Sequence, residues 1–154
     1  MANTYTQHFF HVVFAVRNRE SLIIDDFKED LYRYISGIIS NKKQSLFIIN
    51  GIPDHIHLLI NCKPDVNLSN LVQEIKEHSS KFINEKRILK GKFYWQPGFG
   101  SFTVSKKDVA MIINYIKSQQ EHHKRFNFKE EYLGLLKENE IDFKEEYLFD
   151  FNLQ

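Results

Sequence analysis

Two apolar runs, Ser45 to Asn50 and His55 to Ile60, are separated only by Gly51-Ile52-Pro53-Asp54, and no other stretch narrows the fold as much. Glycine and a Pro-Asp pair favour a tight reversal, so the spacing predicts an antiparallel hairpin. Side chains along a strand alternate between faces. Ile56, Leu58 and Ile60 therefore share one face, and His55 and His57 share the other. The first face is suited to a core. The second presents two imidazoles one pleat apart, close enough to reach one metal ion. A polar sheet face also carries such pairs, so the pattern needs support from the rest of the chain.

The flanking pattern supplies the architecture. Residues 7–16 read as a first strand followed by the basic loop Arg17-Asn18-Arg19. Asp25 or Asp26 can cap a helix to about Ser40, with Phe27, Leu31, Tyr34, Ile35 and Ile38 as its core stripe. After the hairpin, Pro64 closes the strand and Asn67 caps a second helix with Leu68, Leu71, Val72, Ile75, Phe82 and Ile83 facing inward. A Gly/Pro loop rich in aromatics, Phe93 to Gly100, precedes a short strand from Ser101 to Val104. Its rings are suited either to stacking on unpaired bases or to anchoring the loop in the core. Ser105-Lys106-Lys107-Asp108 resembles a capping box and opens a third helix to about Lys124. A final short amphipathic helix is expected in the tail, with Phe128, Leu133 and Leu136 as contacts. The order β-α-β-β-α-β-α predicts an α+β sandwich of the ferredoxin-like or RRM-like kind. In it an antiparallel sheet has helices on one face, and the open face is the working surface.

At 154 residues and 42% hydrophobic content, the chain is expected to form one domain, 1–154, with a sizeable core. No apolar run approaches the ~20 residues a membrane helix needs, and the N-terminus has no signal-peptide pattern. The single cysteine, Cys62, excludes an internal disulfide framework. Together these point to a cytoplasmic protein. From about residue 128 the chain turns acidic: residues 129–154 carry three lysines against eight acidic groups, leaving 18 basic and 12 acidic residues before them. A mildly basic body is compatible with a polyanionic partner. Arg17, Arg19, Lys81, Arg87 and Lys92 are the candidate contacts to such a partner.

The third helix offers the second half of a site. Val109, Ile112, Ile113 and Ile116 form its apolar stripe. At ~100° per residue, Tyr115 lies about 110° and Gln119 about 70° from the stripe's centre. The two are an i,i+4 pair on one face. Two imidazoles and an amide oxygen would give a cation three ligands, leaving positions for a phosphate oxygen and water. A phenol with a free pKa near ~10 is a poor nucleophile unless a cation stabilises charge on the phosphate it attacks.

With these residues in place, the chain resembles an IS200/IS605-type single-tyrosine transposase of the HUH (His-hydrophobic-His) class. The motifs that carry the resemblance are Asn50-Gly51-Ile52-Pro53-Asp54-His55-Ile56-His57-Leu58-Leu59, Trp95-Gln96-Pro97-Gly98-Phe99-Gly100-Ser101-Phe102 and Asn114-Tyr115-Ile116-Lys117-Ser118-Gln119-Gln120-Glu121-His122-His123. The resemblance implies that Tyr115 is the nucleophile and that His55, His57 and Gln119 are ligands of Mg²⁺ or Mn²⁺. It implies cutting and rejoining of single-stranded DNA at insertion-sequence ends marked by hairpins, through a 5′-phosphotyrosine link. It further implies a homodimer, with the tyrosine helix able to dock on the partner's metal site, and nucleoid association when acting. A domesticated, repeat-associated (REP-type) transposase with the same chemistry and a non-catalytic hairpin-binding module are the alternatives. Imidazole ligands favour transition metals, so Mn²⁺ or Co²⁺ should support activity well.

Overall fold

The computed structural model describes residues 3–17, 23 and 25–150. Its elements follow the expected order: β1 (His8–Ala15), α1 (Asp25–Asn41), β2 (Ser45–Ile52), β3 (His55–Cys62), α2 (Leu68–Glu85), β4 (Gly100–Val104), α3 (Val109–Lys117), α4 (Gln119–His122) and α5 (Phe128–Glu138). The four strands form one antiparallel sheet in the order β2-β3-β1-β4. This is the α+β sandwich that the alternation of apolar residues and helical stripes implies.

The hairpin turns on Pro53-Asp54 alone, because Gly51 and Ile52 stay in the ladder opposite Ile56 and His55. That pairing needs a glycine. A Cβ on Gly51 would lie 2.1 Å from the His55 carbonyl oxygen and 2.8 Å from the Ile56 Cα. From β1 and β3, Val12, Phe14, Ile56, Leu58 and Ile60 enter the main core with Leu31 and Ile35 of α1 and Leu71, Val72 and Ile75 of α2. Asn67 caps α2 by accepting from the Asn70 N–H at 3.1 Å. The aromatic loop proves to be an anchor rather than a stacking platform. Phe93 and Trp95 are buried, and the Trp95 indole N–H donates to Ser79 Oγ at 2.9 Å. Tyr94 alone among them is largely exposed, with the Arg17 guanidinium 5.4 Å from its ring centroid.

The opposite face of the sheet is not open as expected. A second apolar cluster of Phe9, Leu59, Val109 and Ile116 seats α3 on it, and α4 follows against β2. The third helix also differs from the single rod expected to Lys124. Ser105 accepts no backbone N–H through its side chain, and Lys106–Asp108 form a 3-10 turn before α3 begins. The helix then breaks at Ser118. The Asn50 side chain donates to the carbonyls of Ile116 at 2.9 Å and Lys117 at 3.2 Å, diverting acceptors that a continuing helix would use. No helix among the described residues is long and apolar enough to cross a membrane.

Two glycines give opposite expectations. Gly51→Ala should cost ~1–3 kcal/mol through overpacking of the hairpin, or about 2–4 °C of melting temperature per kcal/mol at this chain length. A Cβ on Gly134 in α5 meets nothing within 4 Å, so Gly134→Ala should stabilise by ~0.4–1 kcal/mol. Thermal melts of the two variants check both signs.

Candidate active site

β3 delivers His55 and His57 to the face under α3, α4 and α5, and both are fully buried. Each ring is gripped from behind by a different partner. His55 Nδ1 meets Asp54 Oδ1 at 2.7 Å, and His57 Nδ1 meets His11 Nε2 of β1 at 2.8 Å. A carboxylate only accepts, so the Asp54 contact fixes a proton on His55 Nδ1 and leaves Nε2, aimed into the site, as the nitrogen that could hold a cation. There Nε2 lies 3.3 Å from Gln119 Oε1. The break at Ser118 swings Gln119 inward to full burial, whereas Tyr115, the last-turn residue of α3, stays partly open. Its ring centroid is 5.9 Å from that of His57 in the same chain. The four residues named from the sequence therefore converge.

A fifth residue stands at their centre. Glu131 of α5 is buried, and its Oε1 lies 3.2 Å from His55 Nε2, 3.1 Å from His57 Nε2 and 3.1 Å from His123 Nε2. Its Oε2 accepts from Gln119 Nε2 at 2.9 Å and from the Tyr115 hydroxyl. Sequence reading counted Glu131 as one more charge of an acidic tail. The signal was present in α5's own periodicity: Glu131 lies three residues past Phe128, inside the buried stripe of Phe128, Tyr132 and Leu136. Phe128 stacks on His55 at 3.8 Å between centroids. Tyr132 lies on Gly100, where a Cβ would come within 2.7 Å of its ring. These two contacts on either side of Glu131 fix its approach.

The cluster's charge states follow from crowding. Burial alone would raise the Glu131 pKa, but the imidazoles around it, His57 foremost, hold it well below the usual carboxylate range. Burial and the Glu131 carboxylate together push the Tyr115 phenol upward, so it rests protonated. Burial also lowers His57. For His55 the hydrogen bonds to Asp54 and Glu131 outweigh burial and raise it. His11 is pushed down to about 3 by burial, with His57 beside it adding to the effect.

This donor set fits a divalent cation. The ligand atoms of His55, His57 and Glu131 lie within 4.8 Å of one another. Their closest separations are near those that ligand bonds of ~2.1 Å make at right angles. Three imidazole nitrogens crowd one carboxylate oxygen that has two lone pairs. Positive charge between these groups removes that conflict.

The basic candidates lie elsewhere. Lys81, exposed on α2, pairs with Glu85 at 3.9 Å. Arg87 and Lys92 are exposed beyond the end of α2, which packs on the sheet face away from the imidazoles. Arg17 is exposed beside Tyr94, and Arg19 lies outside the described residues.

The family model described as Transposase IS200 like matches residues 4–119. The chain belongs to the IS200-like transposase family. It is 25% identical over 117 residues to the ISDra2 transposase TnpA of Deinococcus radiodurans, covering 73% of this chain and 84% of that protein. It is 27% identical over 129 residues to the transposase for insertion sequence element IS200 of Salmonella typhimurium, covering 80% and 84%. Two solved structures share the fold. A candidate transposase from Deinococcus radiodurans superposes with TM-score 0.63 at 22% identity, over 77% of this chain and 95% of that one. A REP-associated tyrosine transposase bound to a REP hairpin gives 0.61 at 21%, over 80% and 73%. The region that defines this transposase as a family member ends at Gln119, so Glu131 and the rest of α5 lie beyond it.

His11 should contribute to the acid arm of the pH–stability profile. Its folded pKa of about 3 lies below the ordinary imidazole value of 6.5, so the unfolded chain binds the extra proton between those values. Stability from this group is complete above pH 6.5 and is lost as pH falls toward 3, at up to ~1.4 kcal/mol per unit. In melts with chelator, His11→Gln should flatten the decline between pH 6.5 and 4.5; an unchanged slope refutes the assignment.

Proposed function

We propose that this transposase cuts and rejoins single-stranded DNA, with Tyr115 as nucleophile and His55, His57, Gln119 and Glu131 holding Mg²⁺ or Mn²⁺. The observation that carries the proposal is the meeting of the Tyr115 hydroxyl, the Gln119 amide and both imidazoles on one carboxylate within a single chain. Membership of the transposase family supplies the reaction class.

The bound cation would polarise the scissile phosphate and offset the charge developing on it. The Tyr115 Oη then forms a bond to phosphorus, the bond from phosphorus to the 3′-oxygen breaks, and the DNA 5′-phosphate stays on the enzyme. The phenolic proton starts on the hydrogen bond to Glu131 and ends on the departing 3′-oxygen, so charge balances. Since the phenol is held protonated at rest, a proton acceptor at Oε2 is needed for attack. Resealing is the reverse, by the same or another 3′-hydroxyl. Gln119 keeps the helix break and the phenol in register, because its Nε2 shares Glu131 Oε2 with Tyr115.

The partner is DNA with hairpins at its ends, a reading supported by the hairpin in the REP-associated relative. Two ends require two sites, and a homodimer provides them. Arg17, Arg19, Lys81, Arg87 and Lys92 are assigned to the DNA backbone. A binding constant that falls with salt, by a slope of roughly 0.7 per contact, tests that assignment.

Labelled single-stranded DNA from the element's ends, incubated with Mn²⁺, should yield a denaturation-resistant protein–DNA band. Tyr115→Phe should abolish the band and leave DNA affinity intact. No band from the wild type, with DNA binding unchanged in the Phe variant, would instead make the chain a binding module. Glu131→Gln should weaken Mn²⁺ binding at least ~10-fold by calorimetry; unchanged binding would remove Glu131 from the ligand set.

A further inference from the structure

We propose that His11 is a positioning residue that sets the tautomer of His57 and, by donating or accepting at the same nitrogen, keeps that ring in place both with and without the cation. The inference rests on the reading that His57 holds a metal.

The geometry is specific. His11 lies on β1, whose backbone is paired on both sides: His11 is opposite Leu59 of β3 and Phe102 of β4. Its main chain is therefore fixed. Its ring is buried between the rings of Phe102, at 5.9 Å, and Tyr115, at 6.0 Å, and Nε2 is 2.8 Å from His57 Nδ1. The opposite nitrogen of His57 points at Glu131 Oε1, 3.1 Å away. One imidazole thus stands between a fixed neighbour behind and the cation site in front.

With a metal on Nε2, His57 must carry its proton on Nδ1, and His11 Nε2 must accept. With the metal absent, His57 Nε2 can donate to Glu131 only if Nδ1 is bare, and His11 Nε2 must then donate. A neutral imidazole can do either, by shifting its own proton between its two nitrogens. A charged side chain cannot. A carboxylate at position 11 would only accept, and an ammonium would only donate. The contrast lies across the same site. Asp54 only accepts, so His55 keeps a proton on Nδ1 in both states and can meet a cation only through Nε2. Nδ1 of His55 is thereby fixed as a donor, while Nδ1 of His57 is one that His11 allows to switch.

The test compares wild type with His11→Phe, His11→Gln and His57→Ala. Free Mn²⁺ is measured by electron paramagnetic resonance, and the His57 ring is followed by long-range ¹H–¹⁵N correlation in chelator and in Mg²⁺. Loss of the hydrogen bond in His11→Phe should weaken Mn²⁺ binding ~10–100-fold. His11→Gln, whose amide can accept or donate, should recover most of the loss. In the wild type, the His57 proton should sit on Nε2 in chelator and on Nδ1 in Mg²⁺. A folded His11→Phe that binds Mn²⁺ as tightly as wild type overturns the inference, as does a His57 tautomer that is the same in both conditions. If His11→Phe does not fold, the wild-type tautomer and the Gln variant still decide. Wild-type protein that fails to bind Mn²⁺, or binding that survives His57→Ala, overturns the metal reading and this inference with it. An undisturbed His11→Phe beside tight wild-type binding overturns this inference alone.

Discussion

A carboxylate buried away from water must be compensated, and the placement of Glu131 makes that requirement the hub of the molecule. Four imidazoles, an amide and a phenol turn toward it, from β3, α3, α4 and the segment leading to α5. None of these groups is interchangeable with an apolar one. Remove the carboxylate and two buried imidazoles lose the acceptor for Nε2. Remove the imidazoles and a negative charge is left in a dry layer. The sheet and the helices above it are therefore joined by charge balance as well as by the small apolar cluster of Phe9, Leu59, Val109 and Ile116.

The supporting structure is built to deliver those groups at one depth. Gly51 lets the hairpin close so tightly that His55 is the first residue after a two-residue turn, with Asp54 immediately behind its ring. Asn50, one residue before Gly51, reaches across to stop α3 after Lys117. One short hairpin thus presents the imidazoles and also bends the helix that carries the phenol and the amide. Helix continuity would have kept Gln119 merely one turn above Tyr115. The break makes both side chains accessible to the same carboxylate oxygen.

Much of this was legible in the order of residues, and the limits have physical causes. The period-2 pattern of His55 to Ile60 fixes which face the imidazoles share, and Tyr115 and Gln119 follow from helical spacing. The helix break does not, because its cause is a side chain 66 residues away in sequence. Glu131 was obscured by its neighbours: Glu130 caps α5 from the surface, and several further acids follow it in the tail. His11 read as part of a strand, since a diagonal contact between β1 and β3 depends on register, which periodicity alone leaves undetermined. The roofed sheet face was missed for a related reason. The stripe of α3 says that it packs, and nothing in it says on which side.

The geometry around Glu131 also bears on how the tyrosine is restrained. Tyr115 is bound through its hydroxyl to a residue on α5, and α5 is held by Phe128 against His55, by Tyr132 against Gly100 and by Phe149 against both rings. The segment after α5 is tied down in turn, since Gln96 accepts from the Asp150 N–H at 2.7 Å and donates to the Asp150 carbonyl at 3.1 Å. A phosphodiester that reaches the phenol must take over a position next to this carboxylate, where its own negative charge is unfavourable unless positive charge lies between them. The same divalent ion that reconciles the imidazoles with Glu131 would thus make room for the substrate's charge. Phenol attack and cation loading are on this account one electrostatic requirement.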